Sequence, residues 1–272
     1  MLQAMGLRLW LPERTAADVA AAPAPAAVIE RAAAPGPMTR AVPQPAPRAA
    51  PTPAPAPSLA PILASTPRAT AGTDGRADQI ATLDWPALRE AVAGCRACGL
   101  CEGRTQTVFG VGHPQAHWMV VGEAPGEQED RQGEPLVGPA GQLLDNMLRA
   151  LQLSRADEGP AAERVYIANT LKCRPPRNRN PAPEEMAACE PFLLRQLALV
   201  RPRIILAMGR FAVQALLQSS EPIGKLRGRV HAYQGVPLVV TYHPAYLLRN
   251  LPDKARAWED LCLAARVAEA GP

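Results

Sequence analysis

The chain is predicted to be an α/β protein: a three-layer α/β/α sandwich around a central four-stranded parallel sheet, preceded by a disordered Ala/Pro-rich arm. Three observations predict this. Four short segments are almost continuously apolar, as strands buried on both faces are. Stretches with helical periodicity alternate with them, the pattern of a doubly wound layer structure. Residues 1–80 carry few large apolar groups and much Ala and Pro, so they have little to bury.

In chain order, the arm comes first. Proline alternates at 43, 45 and 47 and again at 51, 53, 55 and 57, a spacing that favours extended, polyproline-like chain. At its far end "LQAMGLRLWLPE" carries Leu2, Met5, Leu7, Leu9, Trp10 and Leu11, and is read as a partner-binding peptide, with an incidental start as the other reading. It lacks the basic start, long apolar run and cleavage site of a secretory signal, and no stretch is long enough to span a bilayer. A cytoplasmic, membrane-free monomer is therefore expected. Residues 81–272 form the expected globular domain, long enough for one sizeable core.

The strands are "WMVVG" (118–122), "VYIANT" (165–170), "RIILAMG" (203–209) and "PLVVTYH" (237–243). Helical patterns fill 140–151, 183–200, 210–218 and 253–270. In such a fold ligands sit at the carboxyl ends of the strands, so the strand tips are the place to look. The first ends in "GEAPGEQED", where two glycines and a proline force a tight loop bearing Glu123, Glu127, Glu129 and Asp130. It has no Lys-Ser/Thr ending, and its negative charge would repel phosphate. The second strand ends in Asn169, whose amide can read a heterocycle edge, and the last in His243. Each has an ordinary reading as a turn or cap residue; together they look like a catalytic site.

The formal net charge of +4 does not announce a nucleic-acid binder, but basic residues cluster at Lys172, Arg174, Arg177 and Arg179 and at Lys225, Arg227 and Arg229. There are six cysteines. Cys95, Cys98 and Cys101 follow a chelating spacing, and Cys173 and Cys189 follow the second strand. Four thiolates admit zinc or an iron–sulfur cluster; Cys101 is a rival ligand and Cys262 reads as a buried thiol on the last helix.

Taken in order, "CRAC", "GEAPGEQED", "GEPLVGPAGQLLD", "NTLKCRPPRNR" with Cys189 beyond it, "KLRG" and "HPAYLLR" resemble the family 4 uracil-DNA glycosylases across residues 88–266. The resemblance implies hydrolysis of the N-glycosidic bond of uracil in single- or double-stranded DNA, leaving an abasic site, and a 4Fe-4S cluster on Cys95, Cys98, Cys173 and Cys189. It implies that Glu123 handles the hydrolytic water, Asn169 reads uracil and His243 is the catalytic imidazole. Gly122 and Asn178 fall at positions lining the base site. Lys225, Arg227 and Arg249 are expected to hold phosphates, and Leu247 and Leu248 to fill the stack that a flipped base vacates. Leu136 stands where the family usually has a Phe that stacks on the flipped uracil, which predicts weaker uracil binding or a neighbouring substitute. Two other readings are an iron–sulfur DNA-binding or sensing module and a superfamily glycosylase with altered base preference.

Overall fold

The computed structural model describes residues 74–270. The Ala/Pro-rich arm and its apolar peptide lie outside the described residues. Three helices come first: α1 (Asp74–Thr82), α2 (Trp85–Ala93) and α3 (Leu100–Gly103). Helix α1 crosses the boundary drawn at residue 80, so folded structure begins further upstream than composition suggested.

There follow β1 (Val111–Gly112), β2 (Trp118–Gly122), α4 (Glu127–Gln132), α5 (Pro139–Ala150), β3 (Val165–Asn169), α6 (Pro183–Val200) and β4 (Ile204–Met208). The chain continues through α7 (Arg210–Leu217), α8 (Ile223–Leu226), β5 (Val230–Tyr233), β6 (Val236–Thr241), α9 (Pro244–Leu247) and α10 (Asp253–Ala270).

The sheet is six-stranded and mixed, in the order β1-β3-β2-β4-β6-β5. Its four inner strands are the four apolar segments and run parallel. Two antiparallel edges extend it, which corrects the expectation of a four-stranded sheet. The reason is local. Strand β1 is two residues long, and β5 alternates exposed and half-buried residues rather than forming an apolar run. Strand β5 turns into β6 through Gln234 and Gly235, with φ of 50° and 79°, a two-residue turn whose twist suits a hairpin.

Alternate side chains of the inner strands feed two cores. On one face Val120, Ile167, Leu206 and Val239 meet α5 and α10 through Leu144, Met147 and Leu261. On the other, Val121, Ala168, Ala207 and Val240 meet α6 and α7 through Leu197, Val213 and Leu216. A third cluster joins α1, α2 and α3 to α6, with Leu88, Val92, Phe109, Leu171 and Phe192 around Cys173 and Cys189. Among the described residues no helix is long and apolar enough to cross a membrane.

Candidate active site

Strands β2, β3, β4 and β6 point their carboxyl ends into one cleft of about 1030 Å³, a volume suited to a small organic ligand. Gly122 ends β2 directly opposite Asn169 at the end of β3. A Cβ at position 122 would lie 2.5 Å from Asn169 Oδ1 and 3.8 Å from His243 Nε2, so the amide and the imidazole converge on that glycine. Gly209, just past β4, holds φ at 88°, and a Cβ there would come within 3.0 Å of His243 Cβ. Both glycines therefore leave room for the histidine.

His243 caps α9, and its Nδ1 accepts the Ala245 N–H at 3.2 Å. Burial lowers its pKa to about 4; Glu129 opposes the shift and Arg249 reinforces it. At neutral pH the ring is uncharged. Because Nδ1 is an acceptor, the proton sits on Nε2, the nitrogen that faces Asn169 and Gly122.

The carboxylates of the first loop divide their work. Glu129 accepts the main-chain N–H groups of Gly126 and Val137, each at 3.1 Å, which ties the two halves of the loop together. Buried Asp130 accepts the Thr105 N–H, and Glu127 pairs with Arg131 and Arg174. Among the described residues the Glu123 carboxylate makes no such bond, and it lines the cleft. Burial raises its pKa, and Arg210 across the cleft works the other way.

Leu136 also lines the cleft, 6% exposed, with a left-handed φ of 54°. Its carbonyl lies so close to α5 that a Cβ at Gly141 would be 1.6 Å from the oxygen, so only glycine admits this loop. Three aromatic residues share the cleft: Phe211, Tyr242 and Tyr246, the two tyrosines stacked with ring centroids 5.1 Å apart. None of these or Arg210 stood out in the sequence: Arg210 and Phe211 open a helical pattern, Tyr242 sits inside a buried-strand pattern and Tyr246 follows it. Asn178 lines the cleft from a left-handed backbone, its Oδ1 accepting Arg174 Nε at 2.7 Å.

The expected DNA contacts separate into two groups. Lys225, Leu248 and Arg249 are exposed, and Arg249 borders the cleft. Leu247 is 0% exposed and belongs to the α5/α10 core, so it is no wedge. Arg227 turns inward to Asp260 at 3.0 Å and Glu259 at 3.1 Å, which removes it from the phosphate-binding set. Leu251, 53% exposed beyond α9, lies on the same outward segment as Leu248.

A second, smaller cavity is lined by Cys95, Cys98, Cys101, Cys173 and Cys189. Arg104 Nη1 donates to Cys173 Sγ at 3.1 Å, the Lys172 N–H to Cys189 Sγ at 3.3 Å and Arg76 Nη2 to Cys95 Sγ at 3.5 Å. Burial pushes the Cys98 and Cys173 thiols up and that of Cys189 to about 12. Thiols driven that way, yet surrounded by N–H donors and cations, suit a bound positive centre that would hold them as thiolates. Among the described residues no group of three or more Cys, His, Asp or Glu is placed to hold a single metal ion. Cys262 stands apart on α10 and is half-buried rather than buried.

A family model described as the uracil DNA glycosylase superfamily matches residues 109–262. Among relatives, a Type-4 uracil-DNA glycosylase of Archaeoglobus fulgidus is 42% identical over 165 residues, covering 58% of this chain and 79% of the relative. A Type-4 uracil-DNA glycosylase of Thermotoga maritima is 43% identical over 171 residues, covering 62% and 85%. A Type-5 uracil-DNA glycosylase of Pyrobaculum aerophilum is 36% identical over 149 residues, covering 51% and 66%. With the family model spanning more than half of the chain, and the matched region containing the strand tips that build the cleft, the chain belongs to the uracil-DNA glycosylase superfamily and groups with its Type-4 members.

Proposed function

We propose that this protein is a DNA-repair enzyme that extrudes uracil from DNA and hydrolyses its N-glycosidic bond. The observation that carries the reading is the convergence of Asn169 Oδ1 and His243 Nε2 on Gly122, with the Glu123 carboxylate on the next residue. A base stacked in a duplex is out of reach, so it must be flipped into the cleft. Asn169 pairs with its amide edge, as only an acceptor-and-donor group can. As the bond from C1′ to N1 lengthens, N1 takes the bonding pair and uracil gains negative charge. The neutral His243 donates Nε2–H to the uracil oxygen where that charge develops, a contact strongest in the transition state. Glu123 orients the water that adds to C1′ and accepts its proton. A single-uracil oligonucleotide, single- or double-stranded, becomes alkali-labile at that position; inactivity in every context would remove the reading.

Cys95, Cys98, Cys173 and Cys189 would hold a 4Fe-4S cluster, which supplies a covalent clamp rather than an electron to the hydrolysis. Their sulfurs join the segment before α3 to the loop after β3 and to α6. Protein carrying it is brown and holds iron and sulfide; a colourless preparation holding zinc would contradict the assignment. The apolar peptide at the N-terminus would tether the enzyme to a replication or repair protein.

Three substitution results follow from the site. Ala at Gly122 meets Asn169 Oδ1 without backbone strain, and should reduce excision about 10–100-fold by displacing the amide while thermal stability stays close to wild type. At the α9 tip, Leu247→Ala should cost about 2–5 kcal/mol of stability, because it empties a core site. Leu248→Ala should stay within about 0.5 kcal/mol, yet slow excision from duplex more than from single-stranded DNA. Thermal melts and paired excision assays check all three.

A second reading has one specific support. Leu136 places an aliphatic side chain where the resemblance has an aromatic one, and Phe211, Tyr242 and Tyr246 bring other rings to the cleft. A panel of deaminated bases in place of uracil tests whether base preference has shifted with it.

A further inference from the structure

Between the cysteine cavity and the base-reading edge lies a buried polar network that the hydrolysis itself does not use. Lys172 is 1% exposed and Gln196 0%. Lys172 Nζ donates to the main-chain oxygen of Asn169 at 2.8 Å and to Gln196 Oε1 at 2.7 Å. Gln196 Nε2 in turn donates to the Phe109 carbonyl at 2.8 Å and to the Tyr166 hydroxyl at 3.0 Å. The ammonium makes no ion pair with a carboxylate among the described residues; the sulfurs of Cys189 and Cys173 are the groups that favour its charge. A buried cation is retained at a cost that its hydrogen bonds must offset.

What those bonds hold is a single peptide unit. At the end of β3 the chain leaves the sheet, and the peptide between Asn169 and Thr170 would lose the ladder that oriented it. Its N–H donates to the Gly122 carbonyl at 3.0 Å, and its oxygen receives Lys172 Nζ. The Thr170 hydroxyl adds a bond to the Glu123 carbonyl. Both polar groups of the plane that carries the Asn169 Cα are thereby fixed, and with them the direction in which the amide leaves the backbone.

We propose that Lys172 and Gln196 are positioning residues for base recognition: they hold the Asn169–Thr170 peptide so that the Asn169 amide faces uracil. The proposal rests on the reading of Asn169 as the residue that pairs with the base. Lys172 also lines the cysteine cavity and gives its N–H to Cys189, so the element that shapes that cavity and the element that reads the base share one residue.

The test compares Lys172→Met, Gln196→Leu, the double variant and Asn169→Ala, in the full chain with its iron. Free uracil is the probe, read as inhibition of excision, beside the affinity for a uracil-free oligonucleotide, the iron content and the melting temperature. Asn169→Ala, Lys172→Met and Gln196→Leu are each expected to weaken uracil inhibition about tenfold or more, the scale of one lost buried hydrogen bond, with oligonucleotide affinity within about twofold. The double variant should lose little beyond either single one, because both act through one peptide. If Asn169→Ala weakens uracil and the other two do not, the positioning role is wrong while the base-reading assignment stands. If Asn169→Ala leaves uracil inhibition unchanged, the base-reading assignment falls and takes the proposal with it. Loss of iron or folding in Gln196→Leu, which lies away from the sulfurs, would make the network merely structural and overturn the proposal.

Discussion

His243→Ala is expected to slow uracil excision by about 10²–10³-fold, the range seen when one preorganised donor to a developing oxyanion is removed. Affinity for uracil-containing DNA should change little, because the ring faces Gly122 and Asn169 inside the cleft rather than its rim. Single-turnover rates and equilibrium binding separate the two; equal losses would mean that the residue only places DNA. The pH dependence carries a sign. Burial lowers the His243 pKa from 6.5 to about 4, so the donor is neutral through the physiological range. The uncharged ring contributes stability that is fully present above the unfolded value of 6.5 and is lost as pH falls toward and through about 4. His243→Ala should flatten that part of the acid-unfolding curve.

Glu123→Gln should lower the excision rate by about 10²–10⁴-fold, the usual contribution of a positioned general base. Its carboxyl pKa is raised by burial, so activity should climb with pH through a value above the ordinary carboxylate range. Because the imidazole titrates near 4, the acid limb of the rate profile belongs to Glu123 when it falls above that value. The residual rate of Glu123→Gln should then be flat across the limb. Arg210→Gln should move the limb upward, since the guanidinium favours the ionised carboxylate. A limb that survives Glu123→Gln unchanged would assign the titration elsewhere.

The parts of this protein that the sequence reveals are those governed by burial on both faces. Strands β2, β3, β4 and β6 are continuous apolar runs, and a run of that kind has few alternatives in a chain that alternates with helices. From them follows the gathering of Gly122, Asn169 and His243, since parallel strands bring their carboxyl ends to one edge. Where the outcome depends on contacts distant in sequence, local pattern fails. Arg227 reads as a free cation because Glu259 and Asp260 lie more than thirty residues away. Leu247 and Leu248 are equivalent as letters, and α9 has only four residues, too few for periodicity to say which one turns inward. The left-handed backbone of Leu136 and the glycine it demands at position 141 belong to a loop packed on a helix, which no residue preference announces. Lys172 is the sharpest case: it reads as one of a surface basic cluster, and it is buried holding the strand tip.

The central proposal is that one cleft at these strand tips releases uracil from DNA and leaves thymine and cytosine in place. Its most direct measurement is the base released from matched oligonucleotides bearing uracil, thymine or cytosine at one position, identified by mass spectrometry after a single turnover. Free uracil from the first alone, released at least about 10²-fold more slowly by both His243→Ala and Glu123→Gln, is the result expected. Release of thymine or cytosine at a comparable rate, or uracil release at the wild-type rate in both variants, would contradict it.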